Sequence, residues 1–298
     1  MGYVTAAATL REPLMENAVD LLVIGAGMAG LTAAARATER GARVVVLEKG
    51  DETGGSARFA GYAWTAPTRE IMAEINPHGD RELRNAVVDD FPAGLDWIRG
   101  RGVECAEGVP VLRYGIGHAF DTNRYLDACA REIKAAGNTI HTGAHVQGLV
   151  TEADAVVGAT VRTGDGEVRE LRARNVLLAT GGFQANAELV EKHLHPLASR
   201  FPLRSNPNSD GGGLTLAESA GAAIGFDDAG FYGHLIPSGM PFRDSGDFVG
   251  ISLYYSEHAL LFNLHGERFV DETQGDHLTA MALMEQPEAR GLLVADER

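Results

Sequence analysis

The sequence predicts an α/β fold: a parallel sheet carrying a glycine-rich strand–turn–helix, a β-meander inserted into it, and the start of a second, α+β domain. Three observations predict it. Residues 20–48 run as strand, glycine turn, helix and strand; residues 139–173 shift toward a two-residue period; and near Asp228 the texture changes to clustered aromatics, histidines and prolines. The implied division is an N-terminal arm, 1–18, a first domain, 19–228, and a partial second domain, 229–298.

The arm is polar and without a periodic pattern, so it is assigned no element. Residues 20–24 form a short apolar run ending on Gly25, Ala26, Gly27, Met28, Ala29 and Gly30, and an alanine-rich stretch then reaches Arg40 before Gly41 stops it. That order is strand, tight turn, helix and C-terminal glycine. Gly25 permits the turn, Gly27 lets the helix N-terminus approach a diphosphate, and Gly30 lets helix and strand pack closely. Residues 43–47 supply the next parallel strand. It ends on Glu48, where a carboxylate can accept hydrogen bonds from a ribose hydroxyl and disfavours a 2′-phosphate.

A dinucleotide is therefore expected at this turn. The first strand–helix–strand unit alone would also support an NAD-dependent dehydrogenase. Lys49 and then Gly54, Gly55 and Ser56 add a second flexible turn, placed to lay backbone N–H groups and a hydroxyl against the same dinucleotide. Gly61 can bring bare backbone up to a flavin ring. The continuation points to FAD.

Residues 62–79, with two prolines and Trp64, read as a loop-rich excursion in which Tyr62 and Trp64 are packing anchors. Residues 81–90 and 93–101 read as helices separated by Pro92, with Leu83, Val87, Leu95 and Ile98 as apolar faces. Asp121 or Thr122 caps a helix to Ala136 that turns Tyr125, Leu126, Cys129 and Ile133 inward, and Gly137 closes it. Four strands follow, the last two joined by the turn Gly164, Asp165, Gly166. His145 and Val146 lie where backbone can meet an adenine, and His141 and His145 read as surface histidines rather than a metal pair. Residues 175–179 form a compact apolar strand followed by Thr180, Gly181 and Gly182, which returns the chain to the first glycine turn. Residues 214–220 read as a helix stopped at Gly221. Residues 259–263 and 268–270 are expected to pair as a hairpin.

A chain of 298 residues fits about two domains, and 45% hydrophobic with 22% charged residues is ordinary for a globular chain. Acidic residues outnumber basic ones 41 to 26, a net charge of −15, which argues against a general nucleic-acid or anionic-membrane binder. Cys105 and Cys129 stand far apart with no metal-ligand spacing, so neither a cluster nor a disulfide framework is expected and a reducing cytoplasm fits. No apolar run approaches the roughly 20 residues that span a bilayer.

Together VIGAGMAGL, LEKG, GGSARFAG, LLATGG, GGGLTLAESAGA and NLHGERFVDE resemble the fumarate reductase/succinate dehydrogenase flavoprotein family, whose relatives include 3-ketosteroid dehydrogenases, urocanate reductases and tricarballylate dehydrogenase-like proteins. The resemblance runs over residues 19–298. It implies a Rossmann-like FAD domain interrupted by a mobile capping domain, with substrate between flavin and cap. Implied cofactor residues are Gly25, Gly27, Gly30, Glu48, Lys49, Gly54, Gly55, Ser56, Gly61, Val146, Thr180 and Gly181. No histidine stands in GGSARFAGYAW, where some members attach FAD covalently, so non-covalent FAD is expected.

The same resemblance makes Arg268 the proton donor of an alkene reduction, in which hydride goes from flavin N5 to one carbon and a proton to its neighbour. With an intrinsic pKa above about 12, an arginine donates well only through a relay, and Glu272 is the candidate partner. A hairpin ion pair is the equal alternative. His234 resembles the histidine that binds a substrate carboxylate, or is a loop histidine. The Thr-Glu pair and second arginine of the dicarboxylate reductases fall, without gaps, on Ile251, Ser252 and Tyr255. Tyr254 and Tyr255 can supply phenols or pack. The family's Asp in its G-D-G turn is replaced at Gly212. Family members run on past this point, so the chain resembles one stopped inside the cap. The expected activity is an FAD-dependent oxidoreductase acting on a C–C single or double bond of a small organic substrate, with an unassigned electron partner. The alternative is a truncated flavoprotein that binds FAD poorly and has no independent activity.

Overall fold

In the computed structural model, which describes residues 19–77, 79–111, 114–164, 166–225, 230–240 and 247–296, short aliphatic strands alternate with helices from the start. The arm 1–18, the turn residue Asp165 and the boundary near Asp228 lie outside the described residues. The chain begins β1 (Leu21–Ile24), α1 (Met28–Glu39), β2 (Val44–Leu47), β3 (Tyr62–Thr65), α2 (Arg69–Ile75), α3 (Arg81–Asp89) and α4 (Phe91–Arg99). It continues through β4 (Val109–Val111), β5 (Gly115–Ala119), α5 (Thr122–Ala135), β6 (Thr139–His141), β7 (His145–Glu152), β8 (Ala155–Arg162), β9 (Val168–Arg172) and β10 (Val176–Leu178). The last described elements are α6 (Ala187–His193), α7 (Gly212–Ser219), α8 (Phe248–Ile251), β11 (Leu260–Asn263), α9 (Asp276–Met284) and β12 (Gly291–Val294).

These elements fall into two compact units. The first takes the chain up to Ala60 together with Asp121–Phe183 and Pro207–Gly225. Its sheet has the order β10-β1-β2-β6, and every pair in it is parallel. Parallel strands are covered on both faces, which is why β2 is an unbroken run of Val and Leu, all buried. Leu22, Ile24, Val45 and Leu47 pack on one side against Ala159, Val161 and Leu171 of the antiparallel meander β7-β8-β9. The other side meets α1 through Leu31, Ala34 and Ala35. Each buried Leu, Ile or Val among them contributes about 1.5–3 kcal/mol by leaving water. Helix α5 lies along α1, with Thr32 and Tyr125 hydroxyls 2.7 Å apart. Asp121 caps α5 by accepting from Arg124 N–H at 2.8 Å, and Cys129 sits in its buried stripe, as expected. The parallel sheet and the meander are the expected α/β architecture.

His141 departs from the surface reading. As a strand residue paired beside Leu47 it is half-buried, and burial lowers its pKa, whereas His145 is exposed.

The second unit takes Gly61–Phe120, Gln184–Asn206 and the C-terminal segment. Residues 62–79 are not mainly loop: they contain β3 and α2, the latter capped by Thr68 Oγ1, which accepts from Ile71 N–H at 3.3 Å. Strand β3 pairs antiparallel with β5, some fifty residues on, so no local hairpin signal announced it. Helices α3 and α4 stand where expected, with Pro92 at the start of α4. Leu95 and Ile98 are buried, but Leu83 and Val87 are 71% and 55% exposed, against the apolar face read for them. The expected hairpin from residues 259–270 is reduced to one bridge, Phe262 with Arg268, and the true ladder partner of β11 is β12.

Candidate functional site

Two glycines set the geometry of the first turn. Gly25 has φ +104°, and a Cβ there would lie 2.3 Å from the Ala179 carbonyl oxygen. At Gly30 a Cβ would lie 1.9 Å from the Gly25 oxygen. Larger residues at either position would push the turn off β10 or the helix off the turn. The Gly25 N–H donates to the Leu47 carbonyl at 2.7 Å, which ties the turn to the end of β2.

Glu48 completes that tie. Its side chain is buried, with Oε2 accepting from Ala26 N–H and Oε1 from Gly50 N–H, both at 2.8 Å. The second glycine turn joins the same assembly: Gly54 N–H donates to the Ala26 carbonyl at 2.7 Å, and Gly27 and Gly54 form a parallel bridge. Gly55 and Ser56 open a 3-10 turn over Gly55–Phe59. First turn, Glu48 and second turn are thus one hydrogen-bonded unit.

The open side of this unit suits an anion. A Cβ on Gly27 would meet nothing nearer than the Gly54 oxygen at 3.9 Å, so the cradle has room there. Helix α1 has no side-chain cap and no acidic residue in its first turn, and its Met28 and Ala29 N–H groups belong to the positive end of the helix dipole. These residues fit the adenosine diphosphate half of a dinucleotide. Around it, Thr180 and Gly181 follow β10, with Thr180 packed where a Cβ on Gly213 would lie 1.9 Å from Oγ1. Val146 is half-buried on β7 opposite Val161.

Lys49 sends its Nζ to Asp210 Oδ1 at 2.7 Å, and Ser56 Oγ lies 3.3 Å from Ser209 Oγ. Burial works to raise the Asp210 pKa, but the bonds from Lys49 and from Gly212 N–H outweigh it and hold the carboxyl below its ordinary range. Asp210 was not among the residues singled out in the sequence. It supplies a carboxylate at the turn where Gly212 replaces the family's aspartate, two residues earlier than a motif comparison looks.

The remaining candidates lie in the second unit. Gly61 has open space around its Cα, and its carbonyl accepts from Phe120 N–H at 3.1 Å. Arg268 grips Glu272 through Nη2 to Oε2 at 2.6 Å and through Nε to both oxygens at 3.2 Å. Glu272 is 2% exposed and also accepts from Leu261 N–H at 2.6 Å. The Glu272 bond raises the Arg268 pKa further, so the guanidinium stays charged. The arginine and its expected partner therefore meet.

His234 is drawn into a different group. Its Nδ1 is hydrogen-bonded to Asp276 Oδ2, and both side chains are buried. Tyr232 and Tyr254 each stand edge-on to the imidazole with centroids 5.1 Å away. Tyr254, rather than Tyr255, is thus the tyrosine beside His234; Tyr255 is half-exposed, its carbonyl accepting from His258 N–H at 2.9 Å. Tyr232 also stacks on His277 at 5.6 Å and lies under the Arg204 guanidinium at 5.0 Å. His277 Nε2 is 3.2 Å from the Tyr114 hydroxyl. Burial, with added repulsion from Tyr232 and Asp276, pushes the Tyr114 pKa up to about 12, and burial lowers that of His277, so both are neutral at neutral pH. Asp276, His277, Tyr232, Tyr114 and Arg204 carried no sequence signal, because they come from segments far apart in the chain. Among the described residues no group of three His, Cys, Asp or Glu is placed to hold a metal ion, and no helix is long and apolar enough to cross a membrane.

The chain is similar to known proteins over most of its length. A family model described as "FAD binding domain" matches residues 20–297. Fumarate reductase (cytochrome) from Shewanella frigidimarina is 28% identical over 310 residues, which cover 94% of this chain and 52% of that one. Urocanate reductase from Eggerthella lenta is 27% identical over 308 residues, covering 94% and 50%. The solved 3-ketosteroid-delta4-(5alpha)-dehydrogenase from Rhodococcus jostii RHA1, in complex with 4-androstene-3,17-dione, matches with a TM-score of 0.79 at 20% identity, over 98% of this chain and 68% of that one, a likeness of fold. The chain spans about half the length of the curated relatives it matches.

Proposed function

The chain belongs to the FAD-binding-domain family and its cofactor is FAD; on that premise we propose that it is an oxidoreductase moving a hydride between the flavin and a carbon–carbon single or double bond of a small organic substrate. The observation that carries the reading is the hydrogen-bonded union of the first turn, Glu48 and the second turn. When bound, FAD supplies a reversible hydride site at N5.

The chain's own residues hold and orient. Gly27, Met28, Ala29 and Gly30 present the α1 N-terminus to the diphosphate, and Glu48 uses its remaining lone pairs for a ribose hydroxyl. Gly54, Gly55, Ser56 and the backbone of Lys49 line the second turn, Val146 meets the adenine, Thr180 and Gly181 the dinucleotide, and Gly61 the flavin ring. His234 takes a substrate carboxylate. Arg268 holds the proton that joins the substrate carbon, Glu272 is its relay partner, and a phenol of Tyr254 or Tyr255 lies in the same region of sequence. Attachment of FAD is non-covalent in this reading, since residues 54–64 contain no histidine. Cys105 and Cys129, buried and not joined in a disulfide, support placement in the cytoplasm.

The visible spectrum of the purified protein tests the cofactor: flavin bands, or FAD uptake on reconstitution, are expected, and neither would sink the reading. Reduced protein should be reoxidised by an enoate or a 3-ketosteroid, about 10²–10⁴-fold more slowly in Arg268→Ala. FAD uptake with no reoxidation by either would favour the alternative, a flavin-binding unit without turnover of its own.

A further inference from the structure

We propose that Asp276 is the positioning residue of His234, holding the Nδ1 proton so that Nε2 is the ring atom presented to a ligand. The proposal rests on the reading that His234 takes a substrate carboxylate. Nδ1 of His234 and Oδ2 of Asp276 are hydrogen-bonded although 42 residues separate them, so the contact is made by the tertiary fold and not by a local turn. The two side chains are 4% and 7% exposed. A carboxylate taken that far out of water must be paired, and an ionised carboxylate can only accept. With Asp276 ionised and paired to the ring, the proton of the shared bond sits on Nδ1, which fixes the tautomer. To receive a ligand carboxylate, Nε2 must carry a proton as well, and Asp276 is the adjacent group that balances the resulting positive charge.

Asp276 is the carboxylate hydrogen-bonded to the imidazole. Tyr232 and Tyr254 present ring edges to the imidazole. His277, stacked on Tyr232, is kept neutral chiefly by burial. Tyr114, bonded to His277, has its pKa pushed up to about 12 and is a phenol, not a phenolate. Asp276 also stands in the first turn of α9, where a carboxylate favours the helix dipole. A role confined to the helix end would change stability and leave the tautomer of His234 alone.

The test is NMR of nitrogen-labelled histidine in the FAD-loaded full chain, with the His234 signal assigned through His234→Gln. Wild type is expected to show the Nδ1–H form. In Asp276→Asn the proton should shift toward Nε2, and the affinity for fumarate, read from the His234 signal, should fall about ten-fold or more. A folded Asp276→Asn protein with an unchanged His234 tautomer overturns the proposal. If that variant does not fold, wild type decides: an Nε2–H ring with unprotonated Nδ1 overturns it equally. A lost Nδ1–H form in Asp276→Asn, in a protein whose His234 signal and reduced flavin both ignore fumarate, upholds the positioning role and removes the substrate reading instead.

Discussion

At Glu272 one buried carboxylate answers three donors: Arg268 Nε, Arg268 Nη2 and Leu261 N–H. Burial works to raise its pKa, but the bonds from Arg268 and from Leu261 outweigh that and hold it below the ordinary value of 4.5. A depressed carboxylate pKa gives stability that is present above the unfolded value and is lost as pH falls through the folded one. Glu272→Gln should therefore cost about 1–3 kcal/mol in urea unfolding at neutral pH. The gap between variant and wild type should close as the pH is taken below 4.5. A gap that stays constant into acid would show that the charge of Glu272 contributes nothing. The pair was legible because its members stand four residues apart in one motif. His234 with Asp276 was not: nothing in GHLIP says which distant carboxylate the fold brings to it, or which of Tyr254 and Tyr255 ends up against the ring.

The same contrast holds among elements. β1, α1 and β2 were legible because the signals for strand, turn and helix are local and consecutive, and Gly25 and Gly30 admit no other residue without a clash. α3 was legible as a helix but not as an exposed one, since an amphipathic period marks an apolar face without saying that anything covers it. β11 was paired with the nearest candidate, whereas its partner β12 lies beyond α9. Where elements do meet at the proposed cofactor site, Glu48 is the joint: it links the end of β2 to the turn before α1 and to the loop after β2. Glu48→Ala would leave the Ala26 and Gly50 N–H groups without that acceptor, at a cost of about 1–3 kcal/mol. FAD affinity, measured by quenching of flavin fluorescence, should fall about ten-fold or more, as for other supporting contacts of a binding site. Unchanged affinity with lowered thermal stability would reduce Glu48 to a structural brace.

For the molecule as a whole, the net charge of −15 bears on how the proposed cradle would take up FAD. FAD carries a negative diphosphate, so the field of the whole protein opposes its approach. Lys49 does not relieve this, because its ammonium is already paired with Asp210. On the proposed reading, attraction comes from groups with no net charge: the N–H groups at the start of α1, which has no side-chain cap. Such partial charges act at contact distance, while repulsion from the net charge acts over the Debye length, about 8 Å at physiological ionic strength and about 30 Å at 0.01 M. Added salt should therefore remove repulsion and leave the contact attraction in place. The association rate of FAD with the apoprotein, followed by stopped-flow fluorescence, is expected to rise as salt is increased over that range. A rate that falls with salt would mean that cationic side chains, and not the helix end, draw the diphosphate in.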